Sequence, residues 1–343
     1  MKKKKFLFDI VHLAHFNFFK NAMLRLKEEG HNVEVTFLDR GKIGKVLQKE
    51  IPQFKITKLG TYSESNFGKI FMILRRAILF QKYLHKSKPN ITTGVGDFIL
   101  AFSSRIRGIP SIMFYDDYEF KVNYKLSEFF GNRLFVPYPL PKSSRKIVRY
   151  SSFKELAYLH PNNYQPNKQI IEKIGLKSKE YVFVREVAGI SMNYSDLKEC
   201  SSLPIIKYLH SLGKKVILSL EDKSKKKLYQ PYCLILEEPL DDLYSIMAHA
   251  KFMISSGDSM ARESALLGVP CIYTGGRNMY VNNPFLKWGG IIKLEDKEQI
   301  LKKVDYLLNN NFERGWKKEI NKIIRSKLIN PTELMIKILK RYC

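Results

Sequence analysis

The stretch ISSGDSMARESALLGVP, residues 254–270, combines the features that decide the fold. With the preceding KFM it begins as an apolar run that has the composition of a buried strand, and Gly257 interrupts that run. The following residues predict a helix over 260–268, which Gly268 and Pro270 terminate. A strand, a short polar turn and a helix in this order indicate one unit of a parallel α/β sheet.

The polar turn of this stretch has the composition of an anion-binding site. The first N–H groups of a helix lack partners within the helix and carry about half a positive charge, so they attract phosphate. Gly257 lets a ligand approach the backbone closely, and the hydroxyls of Ser256 and Ser259 can donate hydrogen bonds. Glu263 can accept two hydrogen bonds from adjacent hydroxyls, as on a ribose. The alternative is an ordinary helix with Ser259 as N-cap and Glu263 as an early acid.

The same alternation of strands and helices runs through the chain and predicts a doubly wound α/β fold. The predicted strands are 6–11, 32–38, 90–95, 111–116, 133–137, 181–187, 214–220, 233–238, 251–256, 270–275 and 290–294. The predicted helices are 17–29, 67–86, 97–107, 197–211, 240–249, 260–268 and 282–288, followed by a helical tail over 297–343. We therefore expect two Rossmann-type domains that face a cleft, with ligands at the carboxyl ends of their strands.

Prolines mark the predicted domain boundary. The chain has 343 residues, enough for about two domains, and prolines interrupt the alternation repeatedly between residues 137 and 166. We predict an N-terminal Rossmann-like domain over 1–150, an inter-domain connection over 151–167 and a second Rossmann-like domain over 168–325. Residues 326–343 are predicted to form a helix that can return to the first domain.

The net charge of the chain limits the classes of binding partner. Lys and Arg number 59 against 33 Asp and Glu, which gives a net charge of +26. The positive electrostatic field of such a chain favours nucleic acid, anionic lipid headgroups or phosphorylated substrates as partners. A high lysine content can also be a general feature of the proteins of one lineage. The sequence has no basic tail, no zinc-finger spacing and no alternation of basic and aromatic residues, so nucleic acid is the least favoured partner.

The cysteines and the N-terminal residues indicate the cellular compartment of the protein. Cys200, Cys233, Cys271 and Cys343 are far apart, which argues against a metal cluster or a disulfide scaffold, and no metal is expected. The N-terminal MKKKKFLFDIVHLAHFNFF imitates a secretory signal, but polar residues interrupt its apolar run and no cleavage site follows. We therefore predict a first strand and a cytoplasmic protein. The sequence has no run of about 20 apolar residues, so no membrane span is expected.

The stretch FGKIFMILRRAILFQKYLHKSK, residues 67–88, combines apolar and basic residues. Its cations are Lys69, Arg75, Arg76, Lys82, Lys86 and Lys88. One interpretation is a helix that covers the sheet and turns these cations outward. The alternative is a helix at an anionic membrane surface, where basic and apolar groups both contribute to peripheral binding.

Two histidines follow the first predicted strand. His15 lies in the predicted loop after that strand and can act as a base near neutral pH, although a loop histidine can also have no role. His12 lies in the same loop, and Asp9 at the strand end can orient either histidine or bond to the local backbone.

Charged residues follow several later strands. Asp97 opens a predicted helix and is a candidate acid or base, but helix capping explains it equally well. Asp116 and Asp117 follow the next strand and are candidates of the same kind. Arg185 ends the first strand of the second domain, where its guanidinium can clamp a phosphate or a sugar carboxylate.

The motif S-G-x-x-x-x-x-E-x-x-x-x-G-x-P over 256–270 resembles the nucleotide-sugar motif of GT-B-fold proteins. It is similar to the motifs of the lipid II-forming N-acetylglucosaminyltransferase and of the hydrolysing UDP-GlcNAc 2-epimerases. Four segments extend the resemblance over nearly the whole chain, to an archaeal and bacterial family of the GT-B superfamily without a settled activity. They are D-I-x-x-x-x-H-x-x-F-F-K at 9–20, G-I-P-S-I at 108–112, K-E-L-A-Y-L at 154–159 and M-x-R-E-x-A-L-L-G-x-P at 260–270.

The resemblance implies a role for each residue of the turn. It places the diphosphate at Gly257 and Ser259, in the turn that ends at Met260, and the ribose at Glu263. Asp258 departs from the pattern, because these families usually have a small residue there. A carboxylate beside a diphosphate is repulsive unless it turns away or meets a cation, and Arg262, Arg277 or Arg185 could supply that cation.

The resemblance also implies a reaction. It favours transfer of a sugar from a nucleotide-diphosphate sugar to a surface-glycan or lipid-linked acceptor, with His15 as base or acceptor contact and with no cofactor besides the donor. One alternative is a 2-epimerase-like reaction, in which Asp97 and Asp117 supply acids. The G-V-G-D segment at 94–97 resembles the epimerases' H-G-D-T, but Val95 replaces the histidine and Phe98 the threonine. The other alternative is a non-catalytic basic binder of nucleotide sugars or nucleic acid.

Overall fold

The chain folds into two compact units. The computed structural model describes residues 3–188, 202–237, 240 and 242–343. One unit comprises Met1–Asn163 and Ile329–Cys343, and the other comprises Tyr164–Leu328. The change of unit therefore falls at residue 164, within the stretch 151–167 that we predicted as a connection.

A parallel sheet forms the centre of the first unit. Among the described residues its strands are β1 (Lys5–Ile10), β2 (Asn32–Asp39), β3 (Lys55–Thr61), β4 (Ile91–Val95), β5 (Ser111–Phe114), β6 (Arg133–Pro137) and β7 (Ile147–Tyr150). Their order is β3-β2-β1-β4-β5-β6-β7, and each pair runs parallel. The order reverses between β1 and β4, and we call the carboxyl ends of these two strands the first-unit edge.

Helices connect these strands on both faces of the sheet. They are α1 (Leu13–Glu28), α2 (Ile43–Glu50), α3 (Asn66–Ser87), α4 (Phe98–Ile106), α5 (Lys121–Phe130) and the short α6 (Leu156–Leu159). Helix α1 docks through aromatic contacts: the ring of Phe19 lies 5.3 Å from that of Phe8 on β1, and Phe18 lies 5.2 Å from Phe114 on β5. Edge-to-face pairs of this kind add to the free energy of burying the rings.

The second unit repeats the plan with a six-stranded parallel sheet. Its strands are β8 (Tyr181–Glu186), β9 (Lys215–Leu220), β10 (Leu234–Ile235), β11 (Met253–Ser255), β12 (Cys271–Tyr273) and β13 (Ile291–Lys293), in the order β10-β9-β8-β11-β12-β13. Its described helices are α7 (Lys168–Lys173), α8 (Leu203–Ser211), α9 (Lys226–Tyr229), α10 (Leu243–His249), α11 (Asp258–Leu266), α12 (Asn283–Trp288), α13 (Lys297–Asn309) and α14 (Phe312–Lys327). We call the carboxyl ends of β8 and β11, where this order reverses, the second-unit edge.

The last helix, α15 (Pro331–Tyr342), belongs to the first unit. It packs against α1 and α6. The hydroxyl of Ser152 donates to the carbonyl of Ile329 over 2.7 Å, and that of Thr332 donates to Ala157 over 2.7 Å. The second unit is therefore inserted between two parts of the first.

The predicted doubly wound α/β fold with two Rossmann-type sheets is confirmed. Several elements differ in detail. Helix α1 begins four residues earlier than predicted, so His12 and His15 lie at a helix start and not in a loop. Elements α2, β3, α5, β7, α7 and α9 were missed. Residues 197–201 of one predicted helix, Cys200 among them, residue 238 of a predicted strand and residue 241 of another helix lie outside the described residues.

Candidate functional site

The turn between β11 and α11 is built by its own side chains. Strand β11 ends at Ser255, and Gly257 is the residue that precedes the helix, so α11 begins two residues earlier than predicted. The hydroxyl of Ser255 accepts from the N–H of Gly257 over 3.1 Å and donates to the carbonyl of Gly257 over 2.8 Å. These two bonds within three residues hold the backbone in a tight turn.

Gly257 and Ser256 tie this turn to the end of β8. A Cβ atom on Gly257 would lie 2.9 Å from Cγ1 of Val187, so the close approach of β8 requires glycine. The buried Ser256 hydroxyl accepts from the N–H of Val187 over 2.9 Å and lies 3.5 Å from the carbonyl of Arg185. The structure therefore uses the Ser256 hydroxyl to join two strand ends, where we had expected a donor to the ligand.

The start of α11 has the arrangement of an anion site. The first backbone bond of the helix runs from the N–H of Ala261 to the carbonyl of Gly257, over 3.1 Å. The N–H groups of Ser259 and Met260 lie before that bond and so stand outside the helical ladder. Gly257 contributes no capping side chain, so in the described part of the chain no cap side chain competes with a ligand at this helix end.

The carboxylate of Asp258 is neutralised within the second unit. Its Oδ2 lies 3.0 Å from Nη1 of Arg277, and its Oδ1 accepts from the Tyr273 hydroxyl over 3.3 Å. The Asp258 and Arg277 side chains are each only 5% exposed. The expectation that a nearby arginine compensates Asp258 is confirmed, and Arg277 is that arginine. The repulsion of a diphosphate by Asp258 is correspondingly reduced.

Arg262 and Glu263 lie side by side on α11 and are both buried. Nη1 of Arg262 donates to Oδ1 of Asn282 over 2.8 Å, and its Nη2 lies 3.4 Å from the hydroxyl of Ser259. Oε1 of Glu263 accepts from the hydroxyl of Tyr244 over 3.2 Å. Tyr244 thus orients the carboxylate that the sequence predicts for the ribose.

Two residues at the carboxyl end of β8 complete the second-unit edge. Arg185 donates to the hydroxyl of Ser219 over 3.1 Å and to Oε2 of Glu221 over 2.8 Å, and so is held against β9. Glu186, which the sequence reading missed, is buried and accepts from the Tyr229 hydroxyl over 2.5 Å and the Ser202 N–H over 2.9 Å. The available signal was an acid that follows Arg185 at the end of the apolar run YVFV.

In the first unit, Asp97 both caps a helix and joins an ion-pair network. Its Oδ1 accepts from the N–H groups of Ile99 and Leu100 over 3.1 and 3.0 Å, and its Oδ2 lies 2.9 Å from Nη1 of Arg76. Nη2 of Arg76 lies 2.6 Å from Oδ2 of Asp9, so one guanidinium bridges two carboxylates. Both oxygens of Asp97 are therefore engaged, which limits its use as an acid or base.

Arg76 is the clearest correction to the sequence analysis. We had expected the cations of 67–88 to point outward, but Arg76 is 2% exposed and faces the first-unit edge. Its Nε also donates to the carbonyl of Leu59 over 3.0 Å. A buried guanidinium is held in place by its paired carboxylates and its hydrogen bonds, and here the acids lie on β1 and at the N-cap of α4.

The two acids of this network have pKa values that shift in opposite directions. Burial raises the pKa of Asp9 well above its ordinary value, even though Arg76 opposes the shift. Burial also acts to raise the pKa of Asp97, but Arg76 and the hydrogen bonds from Asp9 and the Leu100 N–H outweigh it and lower that pKa. Within this pair, Asp9 therefore binds a proton more readily than Asp97 does.

The histidines lie at the start of α1. His12 is the N-cap, and its Nδ1 accepts from the N–H of Ala14 over 3.1 Å. His15 lies one turn into the helix, and its buried Nδ1 has no hydrogen-bond partner in the described part of the chain. Burial lowers the pKa of His15 well below its ordinary value, and the charges of His12 and Lys154 add to that effect. His15 is therefore neutral near pH 7 and accepts a proton only weakly.

The remaining acids near this edge have local partners. Asp116 is buried and lies 2.6 Å from Nζ of Lys154, so it forms an ion pair. Oδ1 of Asp117 accepts from the N–H of Glu119 over 3.2 Å, within a turn. Asp116 acts on His15 electrostatically and raises its pKa slightly against the larger lowering effects. Among the described residues, no group of three His, Cys, Asp or Glu side chains is placed to hold a metal ion.

The chain can now be compared with known proteins. Residues 4–341 match the model of a family described as a protein of unknown function, DUF354. The chain belongs to this family. An uncharacterized protein of Methanocaldococcus jannaschii is 21% identical to this DUF354 chain over 273 residues, which is 77% of the chain and 80% of that protein.

Solved structures share the fold of this DUF354 protein. UDP-GlcNAc 2-epimerase from Methanocaldococcus jannaschii, in complex with UDP-GlcNAc and UDP, matches with a TM-score of 0.68 and 15% identity, covering 98% of this chain and 99% of that chain. MurG from Acinetobacter baumannii matches with a TM-score of 0.63 and 16% identity, again covering 98% and 99%. The predicted GT-B-like fold is thereby confirmed, as is the predicted family.

Proposed function

We propose that this protein is a GT-B enzyme that binds a nucleotide-diphosphate sugar at the second-unit edge. The observation that carries the proposal is the turn at Gly257, where a helix start, a close strand and a neutralised Asp258 occur together. The positive end of α11 and the N–H groups of Ser259 and Met260 suit a diphosphate. Glu263, oriented by Tyr244, suits the two hydroxyls of a ribose.

The donor chemistry is also supported by the structural neighbours. The Methanocaldococcus jannaschii epimerase was solved with UDP-GlcNAc and UDP. Under the proposal, the second unit of this chain holds a ligand of the same class. Arg185, now paired with Glu221, can turn part of its guanidinium toward the diphosphate when the donor is bound.

Glycosyl transfer is the reaction that we propose. The hydroxyl oxygen of a glycan or lipid-linked acceptor attacks the anomeric carbon, the bond from that carbon to the diphosphate oxygen breaks, and the nucleoside diphosphate leaves. The acceptor's proton passes to a base; His15, the residue that the sequence offers for this role, is neutral near pH 7 but is a weak base, because burial lowers its pKa. Stabilisation of the leaving diphosphate by the α11 helix end supplies part of the catalysis, and none of these steps calls for a cofactor.

A 2-epimerase-like reaction is the second candidate, because an epimerase has the same fold. That reaction uses acids and bases in the first unit, for which the sequence offers Asp97 and Asp117. Two backbone N–H groups and Arg76 occupy both carboxylate oxygens of Asp97, which limits its use as an acid or base. This favours glycosyl transfer over epimerisation. Release of UDP that depends on an added acceptor indicates transfer, whereas formation of the C2 epimer of the donor sugar without an acceptor indicates epimerisation.

Calorimetric titration with UDP-GlcNAc, UDP and other nucleotide sugars tests the donor assignment. Glu263→Gln keeps the shape of the side chain but removes its charge, and we expect affinity for the bound donor to fall about tenfold or more. Glu298→Gln, an exposed acid on α13, is the matched control and should leave affinity unchanged. Equal affinities for wild type and Glu263→Gln would show that the ribose assignment is wrong.

A further inference from the structure

The outer face of α3 carries a stripe of exposed apolar side chains. The exposed fractions are 89% for Phe67, 60% for Ile70, 65% for Phe71, 60% for Leu74 and 57% for Ile78. Spacings of three and four residues place all five on one side of a helix. Large apolar residues that are exposed together in this way typically mark an interaction surface. We call these five residues the α3 stripe.

The α3 stripe is distinct from the face that packs on the sheet. Arg76, Phe80 and Leu84 are at most 2% exposed and define the inward side of the helix. Helix α3 therefore carries apolar side chains on two sides. Packing against the sheet explains the apolar residues of the inward side but not those of the outward side. The stripe needs an explanation from outside the described contacts of the unit.

The charge around the stripe is of one sign. Arg75, Lys82 and Lys86 are exposed along α3, and the helix contains no Asp or Glu. The whole chain carries a net charge of +26. A second copy of the chain would bring the same cations together, which is unfavourable, whereas an anionic surface would be attracted.

The neighbouring helices extend the apolar surface. Helices α3, α4 and α5 connect β3, β4, β5 and β6 in one direction along the sheet, so they cover the same face, and they pack in sequence. Phe102 and Ile106 on α4 and Phe129 on α5 are also exposed. Beside Phe129 lies a groove of about 610 Å³, lined by Leu126, by the basic residues Lys125, Arg145 and Lys146, and by Glu128 and Ser144.

We propose that the α3–α5 helix layer docks the protein on an anionic phospholipid membrane. The α3 stripe enters the boundary between headgroups and acyl chains, while Arg75, Lys82 and Lys86 contact phosphates. The groove beside Phe129 has the same chemistry, with an apolar interior and a basic rim. No helix among the described residues is long and apolar enough to cross a membrane, so the contact is interfacial. The inference does not depend on the donor assignment.

Vesicle co-sedimentation of the full chain tests the apolar contribution. Wild type should bind vesicles of phosphatidylcholine with phosphatidylglycerol and bind pure phosphatidylcholine far more weakly. Phe67→Ser with Phe71→Ser should weaken binding to the anionic vesicles about tenfold or more, because two exposed rings lose their burial in the membrane. The matched control, Leu212→Ser with Leu228→Ser, removes two exposed leucines of the second unit and should bind like wild type.

A charge pair tests the electrostatic contribution. Arg75→Gln with Lys82→Gln should weaken binding about thirtyfold at low salt, at roughly 1 kcal/mol for each cation near the surface. Lys297→Gln with Lys302→Gln removes the same charge from α13 and should have a much smaller effect. Donor affinity, measured in parallel, should be unchanged in all four variants, which separates this inference from the proposed function.

Three results would overturn the inference. One is failure of wild type to bind the anionic vesicles at low salt. Another is equal loss of binding in the stripe variant and in its leucine control. The third is sedimentation of wild type as a dimer that Phe67→Ser with Phe71→Ser dissociates, since the α3 stripe would then be a self-association surface.

Discussion

The two strand-order reversals of this molecule have the same topology but opposite electrostatics. At the first-unit edge, Arg76 is shared by Asp9 and Asp97, and all three side chains are at most 4% exposed. At the second-unit edge, Arg277 pairs with Asp258, and the adjoining helix start keeps N–H groups outside the helical ladder. The first arrangement uses its polar groups to hold the sheet, whereas the second retains groups that can hold a ligand. Position in a Rossmann-type sheet therefore identifies where a site can form, and the local charge balance decides whether one does.

The largest expected effect comes from removing the shared cation of the first-unit edge. Arg76→Met leaves two buried carboxylates without their guanidinium, and we expect the free energy of unfolding to fall by about 3–5 kcal/mol. Urea unfolding followed by circular dichroism measures the change. Arg75→Met alters the exposed neighbour on the same helix and should stay within about 0.5 kcal/mol of wild type. Similar losses in the two variants would refute the structural role given to Arg76.

A smaller effect is expected at the second-unit edge, where one acid loses its partner. Arg277→Met should lower the free energy of unfolding by about 3 kcal/mol and should also weaken donor binding, because the Asp258 charge is then uncompensated beside the position that we propose for the diphosphate. Adding Asp258→Ser to that variant removes the stranded charge and should recover most of both losses. A double variant no better than Arg277→Met alone would mean that the pair does not control the turn.

The smallest effect concerns the pH dependence of the first-unit edge. The raised pKa of Asp9 means that the folded state holds its proton more tightly than the unfolded state. The contribution of this proton to the free energy of unfolding is complete below the pKa of an unfolded Asp, about 3.9. It is lost as pH rises through the pKa of Asp9 in the folded state. The free energy of unfolding of wild type relative to Asp9→Asn should therefore fall as pH rises from about 4 toward neutrality. Parallel unfolding curves for the two proteins over that range would show that Asp9 is ionised throughout.

The sheets were predictable because most of their strands are continuous apolar runs. Strands β1, β4, β8 and β9 are buried along nearly their whole length, and each was predicted to within a residue or two. Strand β3, KITKLGT, has lysines and is exposed or only partly buried at all but one position, so its apolar pattern does not stand out. The elements that were missed are those in which partial exposure dilutes the apolar signal.

The candidate site was predictable only where its parts are close in sequence. The turn at Gly257 and the acid at Glu263 lie in one short segment, and Arg277 lies 19 residues from Asp258. Arg76 reaches Asp9 across 67 residues, and that pairing follows from the order of the strands and not from any local pattern. Because the partners of Arg76 are distant in sequence, the local pattern of α3 did not reveal them, and the outward direction expected for Arg76 was wrong.

The insertion of the second unit between two parts of the first has a consequence for biosynthesis. The β8–β13 sheet and its helices are encoded without interruption, so they can fold as soon as that segment leaves the ribosome. The first unit must wait for α15, which is synthesised only after the entire second unit, before Ile329 and Thr332 reach Ser152 and Ala157. During that interval the face of α1 that α15 covers is without its packing partner and stays open to chaperones and proteases.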